Sequence, residues 1–245
     1  PKRNDSRYPF NELCGAGISF KLAWALAVHF SQNRKVTPEF RAFLLDAVAL
    51  AGCGTIADIV PLAGENRVLA HQGLLAFART RAPGLRALLK ASKIEGTPRV
   101  SDVGFRIGPR INAAGRCGEA AQALELLLTE DDARAAELAA ILEAHNAERQ
   151  NIECRILEEA RQQALGFMKQ TPDCRALVLD SAEWHHGVIG IVASRIVEEF
   201  YRPALLLSID SETRVARGSG RSIRGLHLSE ALANDSRFLL SFGGH

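Results

Sequence analysis

Four short segments of this chain combine glycine with side chains that can bind an anion or a metal ion. The first is GCGTIADIVPL at residues 52–62, where Asp58 is a lone carboxylate among apolar neighbours. Burying such a group is costly unless hydrogen-bond donors or a metal ion compensate its charge. Mn²⁺ and Mg²⁺ prefer carboxylate oxygens, although one ligand does not make a site. The alternative is a helix-cap or turn aspartate that accepts backbone N–H groups.

The second segment, GFRIGPRINAAGR at residues 104–116, brings three arginines together with small residues. Guanidinium groups offer forked donors that suit phosphate, and glycine and alanine let a backbone approach a ligand closely. Arg110 and Arg116 are therefore candidate phosphate ligands, and Asn112 can orient a ligand or backbone oxygen. A packed helix junction with surface arginines is the alternative.

The third segment, WHHGVIGIVAS at residues 184–194, leads from a predicted strand into a predicted helix. The unpaired N–H groups at the start of a helix can receive an anion. Adjacent residues of an extended segment point to opposite sides, so His185 and His186 are poor partners for one metal ion. We interpret His185 as the functional histidine and His186 as incidental.

The fourth segment is RGSGRS at residues 217–222, where strand alternation puts Ser219 and Arg221 on one face. A hydroxyl beside a guanidinium, with glycine on either side of the serine, makes a pocket that suits a terminal phosphate. The alternative is an edge strand with exposed polar side chains. The final GGH, ending at His245, can bind phosphate in a similar way, but a Gly-Gly turn is weak evidence by itself.

Composition sets the class of protein. The 245 residues are 47% hydrophobic and 24% charged with a formal net charge of +2, which excludes a disordered or collagen-like chain and gives no global bias toward nucleic acid. The uncharged stretch near position 50 covers only 47–57, short of the roughly 20 residues that cross a membrane. No secretory signal is visible, and the five cysteines form no C-x-x-C pair. We therefore expect a cytoplasmic protein with reduced cysteines and no membrane partner.

Periodicity predicts the elements that carry these segments. Apolar residues recur every four positions near the start of the chain, and Thr37-Pro38 is a typical helix start. An Ala- and Glu-rich stretch from Asp131 to about Leu165 predicts one long helix that joins two domains. Short apolar runs with a helix between them then predict a β–α–β unit. The expected helices cover 16–30, 38–52, 65–79, 84–92, 118–128, 131–165 and 188–200, and the expected strands cover 176–180 and 204–209.

Together and in this order, the motifs resemble the DHH phosphoesterase superfamily, and most closely its single-strand-specific DNA exonucleases. The matching stretches are LCGAGISFKLAWAL, GTIADIVPL, GFRIGPRINAAGR, HNAERQ, WHHGVIGIVASRI, GSGRSI and FGGH. The resemblance implies an α/β, two-domain DHH phosphoesterase architecture. It would comprise the C-terminal part of a DHH catalytic domain at residues 1–128, a connecting helix at 129–168, and the N-terminal part of a DHHA1 domain at 169–245.

The resemblance also implies an activity, which is Mn²⁺- or Mg²⁺-dependent hydrolysis of single-stranded DNA from its 5′ end in recombination and repair. A single-strand-binding protein and helicases are the implied collaborators. Asp58 matches a metal-binding aspartate, and His185 lies in a tryptophan–histidine motif in which the family more often has proline than His186. Substrate-binding positions are implied for Arg110, Asn112 and Arg116 in the cleft, for Ser219 and Arg221 at the 5′ phosphate, and for His245 at the end of a glycine-rich motif.

The chain also departs from the family pattern. The D-x-D motif, the middle aspartate and the Asp-His-His triplet that supply the other metal ligands are absent, and we expect them to precede Pro1 in a longer protein. With one ligand, two-metal activation of water cannot be assembled, so the chain by itself is expected to be inactive. Two alternatives stay open: a phosphodiesterase of the same superfamily that acts on oligonucleotides or cyclic dinucleotides, and a non-catalytic module that binds single-stranded nucleic acid.

Overall fold

The computed structural model describes residues 2–3, 5–32 and 35–244. His245 therefore lies outside the described residues. Two compact units divide at residues 146 and 147, inside the longest helix. The domain boundaries expected from the sequence, at 128/129 and 168/169, remain a prediction. The helices are α1 (Gly15–Phe30), α2 (Pro38–Ala57), α3 (Gly64–Phe77), α4 (Pro83–Ala91), α5 (Val100–Asp102), α6 (Gly108–Cys117), α7 (Ala120–Leu128), α8 (Asp132–Gln170), α9 (Ile189–Phe200) and α10 (Leu228–Asn234), and the strands are β1 (Leu177–Ser181), β2 (Ala204–Ile209) and β3 (Ala216–Arg221).

Helix α2 begins as the sequence predicts and ends later. The Thr37 hydroxyl accepts the N–H of Phe40, and Pro38 occupies the first turn, where no N–H is needed. The expected end at Gly52 is wrong, because the helix continues to Ala57. Gly52 lies instead at a helix crossing, where an added Cβ would come within 2.7 Å of the Gly73 Cα on α3. Its lack of a side chain serves close packing of two helices and not helix termination.

The first unit is built around α2 and its neighbours. Fully or nearly fully buried apolar side chains form its main core, and they come from α2, α3, α4, the segment 103–117, α7 and the N-terminal half of α8. Helix α2 is 20 residues long with a mean hydropathy of 1.5, so by length and composition alone it resembles a membrane-spanning helix. Core helices of globular proteins have the same properties, and the buried face of α2 packs against α3. Core members include Cys53, Ile56, Phe77, Leu85, Leu88, Leu126, Leu138 and Leu142.

A three-residue helix and a π-helical turn open the arginine-rich segment. The turn covers Val103–Ile107 and passes directly into α6, with Val103 and Ile107 buried. π-Helical turns are rare and are often found at functional sites. The extra residue in a π-helical turn rotates the side chains that follow it around the helix axis. Because the turn continues into α6, the whole segment 104–116 is helical.

Helix α8 is the long helix that the composition predicts, although it extends to Gln170 instead of ending near Leu165. Polar residues interrupt the apolar stripe along this helix. Three of them, Asn146, Arg149 and Glu153, are nevertheless buried. The Arg149 guanidinium donates to one Glu153 oxygen, and Arg195 on α9 lies 2.7 Å from the other. On this part of the buried face of α8, ion-paired side chains therefore replace apolar ones.

The second unit contains a three-stranded sheet in the order β1-β2-β3. Strands β1 and β2 are parallel and are connected through α9, which confirms the predicted β–α–β unit. Strand β3 pairs antiparallel with β2, so that Ser219 lies opposite Leu206 and Arg221 lies opposite Ala204. The apolar residues of α9 are buried against this sheet, which fixes the start of α9 relative to β3.

Candidate functional site

Asp58 lies at the C-terminal end of α2. Its backbone N–H donates to the Gly54 carbonyl at 3.0 Å, and the next residue, Ile59, has a left-handed backbone that ends the helix. Asp58 is exposed, so its carboxylate does not pay the cost of burial that its apolar neighbours in the sequence suggested. Among the described residues its carboxylate has no hydrogen-bond or ion-pair partner. The cap interpretation therefore applies to its backbone only, and both side-chain oxygens are available to a ligand.

The surroundings of Asp58 form an open cleft of about 510 Å³. One wall is the start of α1, where the Cys14 sulfur accepts the Gly17 N–H at 3.4 Å. The buried Asn66 amide donates to the carbonyls of Glu12 and Pro61, at 2.8 and 3.0 Å, and so ties the segment after Asp58 to the segment before α1. The lining residues are Lys2, Arg3, Leu13, Cys14, Gly15, Ile18 and Asp58.

The donor set at Asp58 fits one position of a magnesium or manganese site. Its two available oxygens are the ligand type that these hard cations prefer. Within residues 2–3, 5–32 and 35–244, no three His, Cys, Asp or Glu side chains cluster as a metal site. Burial raises the pKa of the Cys53 thiol to about 12, so this sulfur is a packing group at neutral pH. Asp58 is thus the described candidate ligand in this cleft.

The arginine-rich helix lies next to the end of α2. A Cβ placed on Gly108 would lie 3.5 Å from the Ala57 Cβ, directly before Asp58. Arg110 donates through Nε to Glu143 on α8 and through Nη1 to the Arg106 carbonyl at 2.7 Å. Its Nη2 has no hydrogen-bond partner within the described residues. The Arg110 guanidinium is therefore held through Nε and Nη1, while the two N–H groups of Nη2 stay available to a ligand.

The other two candidates on this helix are exposed. Asn112 and Arg116 lie four and eight residues beyond Gly108, and Phe105, in the π-helical turn, is 83% exposed. Behind the segment, His145 on α8 occupies the space that a Gly118 side chain would fill, at 2.5 Å, and contacts Gln122 at 3.3 Å. His145, the first residue of the HNAERQ stretch, thus packs against the turn that follows the arginine helix, a role that the sequence alone did not identify.

His185 and His186 do not point to opposite sides. Their rings stack with centroids 5.1 Å apart and planes inclined by 11°. Strand alternation fails here because β1 ends at Ser181 and both histidines lie in the turn before α9. The His185 Nδ1 accepts the Gly187 N–H at 3.1 Å, so in the neutral ring Nε2 carries the proton. A donor at Nε2 can face a phosphate oxygen.

Trp184 anchors this histidine turn from two sides. It is 2% exposed, and its indole N–H donates to Glu159 on α8 at 2.8 Å. The Ser208 hydroxyl at the end of β2 donates to the Trp184 carbonyl at 2.5 Å. Sequence analysis missed Glu159 and Ser208, because nothing in their local context distinguishes them from ordinary helix and strand residues.

Ser219 and Arg221 share one face of β3, as predicted from strand alternation. The Arg221 Nη1 donates to the Ser219 hydroxyl at 3.2 Å and to the Gly220 carbonyl at 2.8 Å, and Nε donates to the Ser194 hydroxyl at 3.1 Å. A Cβ on Gly190 would lie 2.9 Å from the Ser219 oxygen and 3.4 Å from the Arg221 Nη2. The serine–arginine pair therefore lies against the first turn of α9.

The structure thus forms two groups of candidates, one in each unit. Asp58 and the arginine helix lie in the first unit, and His185, Ser219 and Arg221 lie in the second. Ser194 and Gly190 were not predicted, although both fall in the quoted stretch WHHGVIGIVASRI. Their position on the predicted helix at 188–200 was visible in the sequence, but their proximity to Ser219 and Arg221 on β3 was not.

Comparison with known proteins gives a consistent result. Residues 173–245 match the DHHA1 domain. The whole chain is 44% identical to the single-stranded-DNA-specific exonuclease RecJ of Bacillus subtilis (strain 168), of which it covers 29%. It is 40% identical to the RecJ of Dickeya dadantii (strain 3937), of which it covers 44%. Over its whole length the chain is similar in sequence to RecJ.

Solved structures of RecJ agree with the fold. The RecJ of Thermus thermophilus in complex with Mn²⁺ superimposes with a TM-score of 0.81 at 41% identity, covering 94% of this chain and 32% of that one. The complex of the same organism's RecJ with Mg²⁺ gives a TM-score of 0.83 at 40% identity, covering 97% of this chain and 35% of that one. The expected α/β class with partial DHH phosphoesterase architecture is confirmed. The chain spans less than half the length of the curated RecJ relatives it matches.

Proposed function

We propose that this chain is part of a metal-dependent exonuclease that hydrolyses single-stranded DNA from its 5′ end. The observation that carries the proposal is the Ser219–Arg221 pair in a chain homologous to single-strand-specific exonucleases. Arg221 keeps its Nη2 donors, and Ser219 keeps its hydroxyl proton, without an acceptor in the described part of the chain. Donors that converge without an acceptor suit a terminal phosphate, which has three acceptor oxygens.

The side chains have different tasks in this proposal. Ser219 and Arg221 bind the 5′-terminal phosphate, and the protonated Nε2 of His185 donates to an oxygen of the same end of the strand. Arg110, held by Glu143 along one edge, presents Nη2 to an internal phosphate and offsets charge that develops during hydrolysis. Asn112, Arg116 and His245 complete the substrate contacts.

Asp58 would hold a Mn²⁺ or Mg²⁺ ion through its two available oxygens. Such an ion lowers the pKa of a bound water and stabilises charge on the phosphate. The remaining ligands of a two-metal site have to come from outside the group of residues described above. We therefore expect this chain alone to bind single-stranded DNA without hydrolysing it.

Release of nucleotides tests the proposal. The full-length gene product with Mn²⁺ is expected to release mononucleotides from 5′-phosphorylated single-stranded DNA and to leave duplex DNA largely intact. The 245-residue chain under the same conditions is expected to bind the strand and release none. Failure of the full-length protein to release nucleotides would contradict the nuclease assignment and favour a non-catalytic binding module, whereas hydrolysis of cyclic dinucleotides would favour a small-substrate phosphodiesterase.

The cellular setting belongs to the same proposal. We expect the protein to act in the cytoplasm in DNA recombination and repair, where a helicase and a single-strand-binding protein would supply its substrate. Co-purification of either protein with the tagged full-length gene product tests this expectation.

A further inference from the structure

The side chain of Arg221 is oriented by contacts on both β3 and α9. Of its five N–H groups, Nε–H donates to Ser194 on α9, and Nη1 donates to Ser219 and to the Gly220 carbonyl. The two N–H groups of Nη2 have no acceptor among the described residues. The guanidinium plane is therefore fixed by contacts on two different elements, and a single nitrogen is left to face a ligand.

The direction of the hydrogen bonds at Ser194 is also fixed. Its hydroxyl donates to the Gly190 carbonyl one helical turn earlier, at 3.3 Å. Because that bond uses its only proton, the oxygen faces Arg221 as an acceptor. Ser194 thus connects the first turn of α9 to Arg221, and it sets the rotation of the guanidinium relative to Gly190.

Gly190 keeps the space in front of Nη2 open. A Cβ there would lie between the Ser219 hydroxyl and the Arg221 Nη2, at 2.9 and 3.4 Å. The gap at Gly190 is therefore bordered by the two N–H groups of the Arg221 Nη2 and by the Ser219 hydroxyl, three donors in all.

We propose that Ser194 is a positioning residue that orients the Arg221 Nη2 toward the gap at Gly190, where the proposed function places the 5′-terminal phosphate. The proposal rests on the proposed function and adds two residues to it. Ser194 acts through Arg221, whereas Gly190 determines how much room the phosphate has. A monoester is favoured over an internal diester because it presents three unesterified oxygens to the three donors.

Binding of two oligonucleotides that differ only at their ends tests the proposal. The 245-residue chain is titrated with the same fluorescent single-stranded DNA bearing either a 5′ phosphate or a 5′ hydroxyl. We expect Ser194→Ala to reduce the preference for the phosphorylated strand about threefold to tenfold while affinity for the hydroxyl strand stays unchanged, as loss of one oriented hydrogen bond implies. Ser194→Thr, which retains the hydroxyl, is expected to keep the preference, and Gly190→Ala is expected to remove most of it.

The outcomes separate this proposal from the proposed function. A wild-type chain with no preference for the 5′ phosphate would overturn both. A wild-type preference that Ser194→Ala leaves intact would overturn only the positioning role. Equal weakening for both strands would also overturn it, because a purely structural role affects the two strands alike.

A spectroscopic readout does not depend on DNA. The Nε–H resonance of Arg221 is expected to be protected from solvent exchange in the wild type and in Ser194→Thr, and to lose protection in Ser194→Ala. Unchanged protection in Ser194→Ala would contradict the contact on which the proposal depends.

Discussion

Single residues in this chain are distinguished by which of their donors and acceptors remain unused. Arg110 and Arg134 are both arginines of the first unit that contact glutamates, and they differ in this respect. Arg134 is bound by Glu125 and Glu137 through all three nitrogens, at 2.6 to 2.9 Å. Arg110 keeps Nη2 available. A count of arginines in the sequence cannot make this distinction.

The first prediction follows from that difference. Arg110→Ala should weaken binding of single-stranded DNA and reduce the slope of log affinity against log salt concentration by about 0.7, because one phosphate contact is lost. Arg134→Ala is the matched control and should leave the slope unchanged. Fluorescence anisotropy over a series of salt concentrations measures both. Equal slopes for the wild type and Arg110→Ala would remove Arg110 from the interface.

The second prediction concerns Asp58. Asp58→Asn in the full-length gene product should reduce Mn²⁺-dependent nucleotide release by at least about a hundredfold, since an amide is a poorer ligand than a carboxylate. Binding of single-stranded DNA in the presence of a chelator should not change. Asp46→Asn, on an exposed position of the same helix α2, is the control and should retain full activity. Full activity of Asp58→Asn would show that the metal is held elsewhere.

Whole helices and strands are where the sequence was most informative. The long helix, the β–α–β unit and the capped start of α2 follow from periodicity, propensity and a hydroxyl before proline. The end of α2 was wrong because Gly52 was interpreted locally as a helix terminator. Its actual role depends on Gly73, 21 positions away, which no local pattern contains.

The third prediction tests that helix crossing. Gly52→Ala should lower the free energy of unfolding by about 1–3 kcal/mol, because its Cβ would lie 2.7 Å from the Gly73 Cα and 2.8 Å from the Leu69 carbonyl oxygen. Gly115→Ala, on α6 with no atom within 4 Å of the new Cβ, should leave stability unchanged or raise it by up to about 1 kcal/mol. Urea denaturation measures both. Equal stability of Gly52→Ala and the wild type would contradict the close approach.

The candidate site was predicted less completely than the elements. Sequence patterns identified Ser219 and Arg221, because strand alternation is a local rule. They misjudged His185 and His186, because a turn replaces the expected extended segment. Supporting residues such as Glu143, Glu159 and Ser194 could not be predicted, since each acts across elements that meet only in the folded chain.

The fourth prediction concerns the support of the histidine turn by α8. Glu159→Ala leaves the buried indole N–H of Trp184 without its acceptor, which should cost about 1–3 kcal/mol of stability. Glu159→Gln retains an acceptor oxygen and should cost less. Denaturation followed by tryptophan emission measures the effect, with both variants made in a Trp24→Phe background so that Trp184 alone reports. If Glu159→Ala were as stable as the wild type, α8 would not anchor the turn.

For the whole molecule, the formal net charge of +2 means that recognition of a polyanion depends on where charges lie and not on their sum. Arg110 in one unit, and Arg221 with Ser219 in the other, are anchored by hydrogen bonds and still keep donors without an acceptor among the described residues. In the proposed function, Arg110 binds an internal phosphate and the Ser219–Arg221 pair binds the terminal one. In that case, specificity for the 5′ end requires that the Ser219–Arg221 pair bind a phosphate monoester more tightly than an internal diester.

Phosphorus NMR of a 5′-phosphorylated oligonucleotide bound to the 245-residue chain tests this central claim most directly. The second pKa of a free phosphate monoester is about 6, and positive charge with hydrogen-bond donors stabilises its dianion. The account predicts that the terminal resonance titrates at lower pH when bound, and that Arg221→Ala returns it to the value of the free strand. An unchanged terminal titration, with broadening confined to the internal diesters, would mean that the chain binds the strand without recognising its 5′ end.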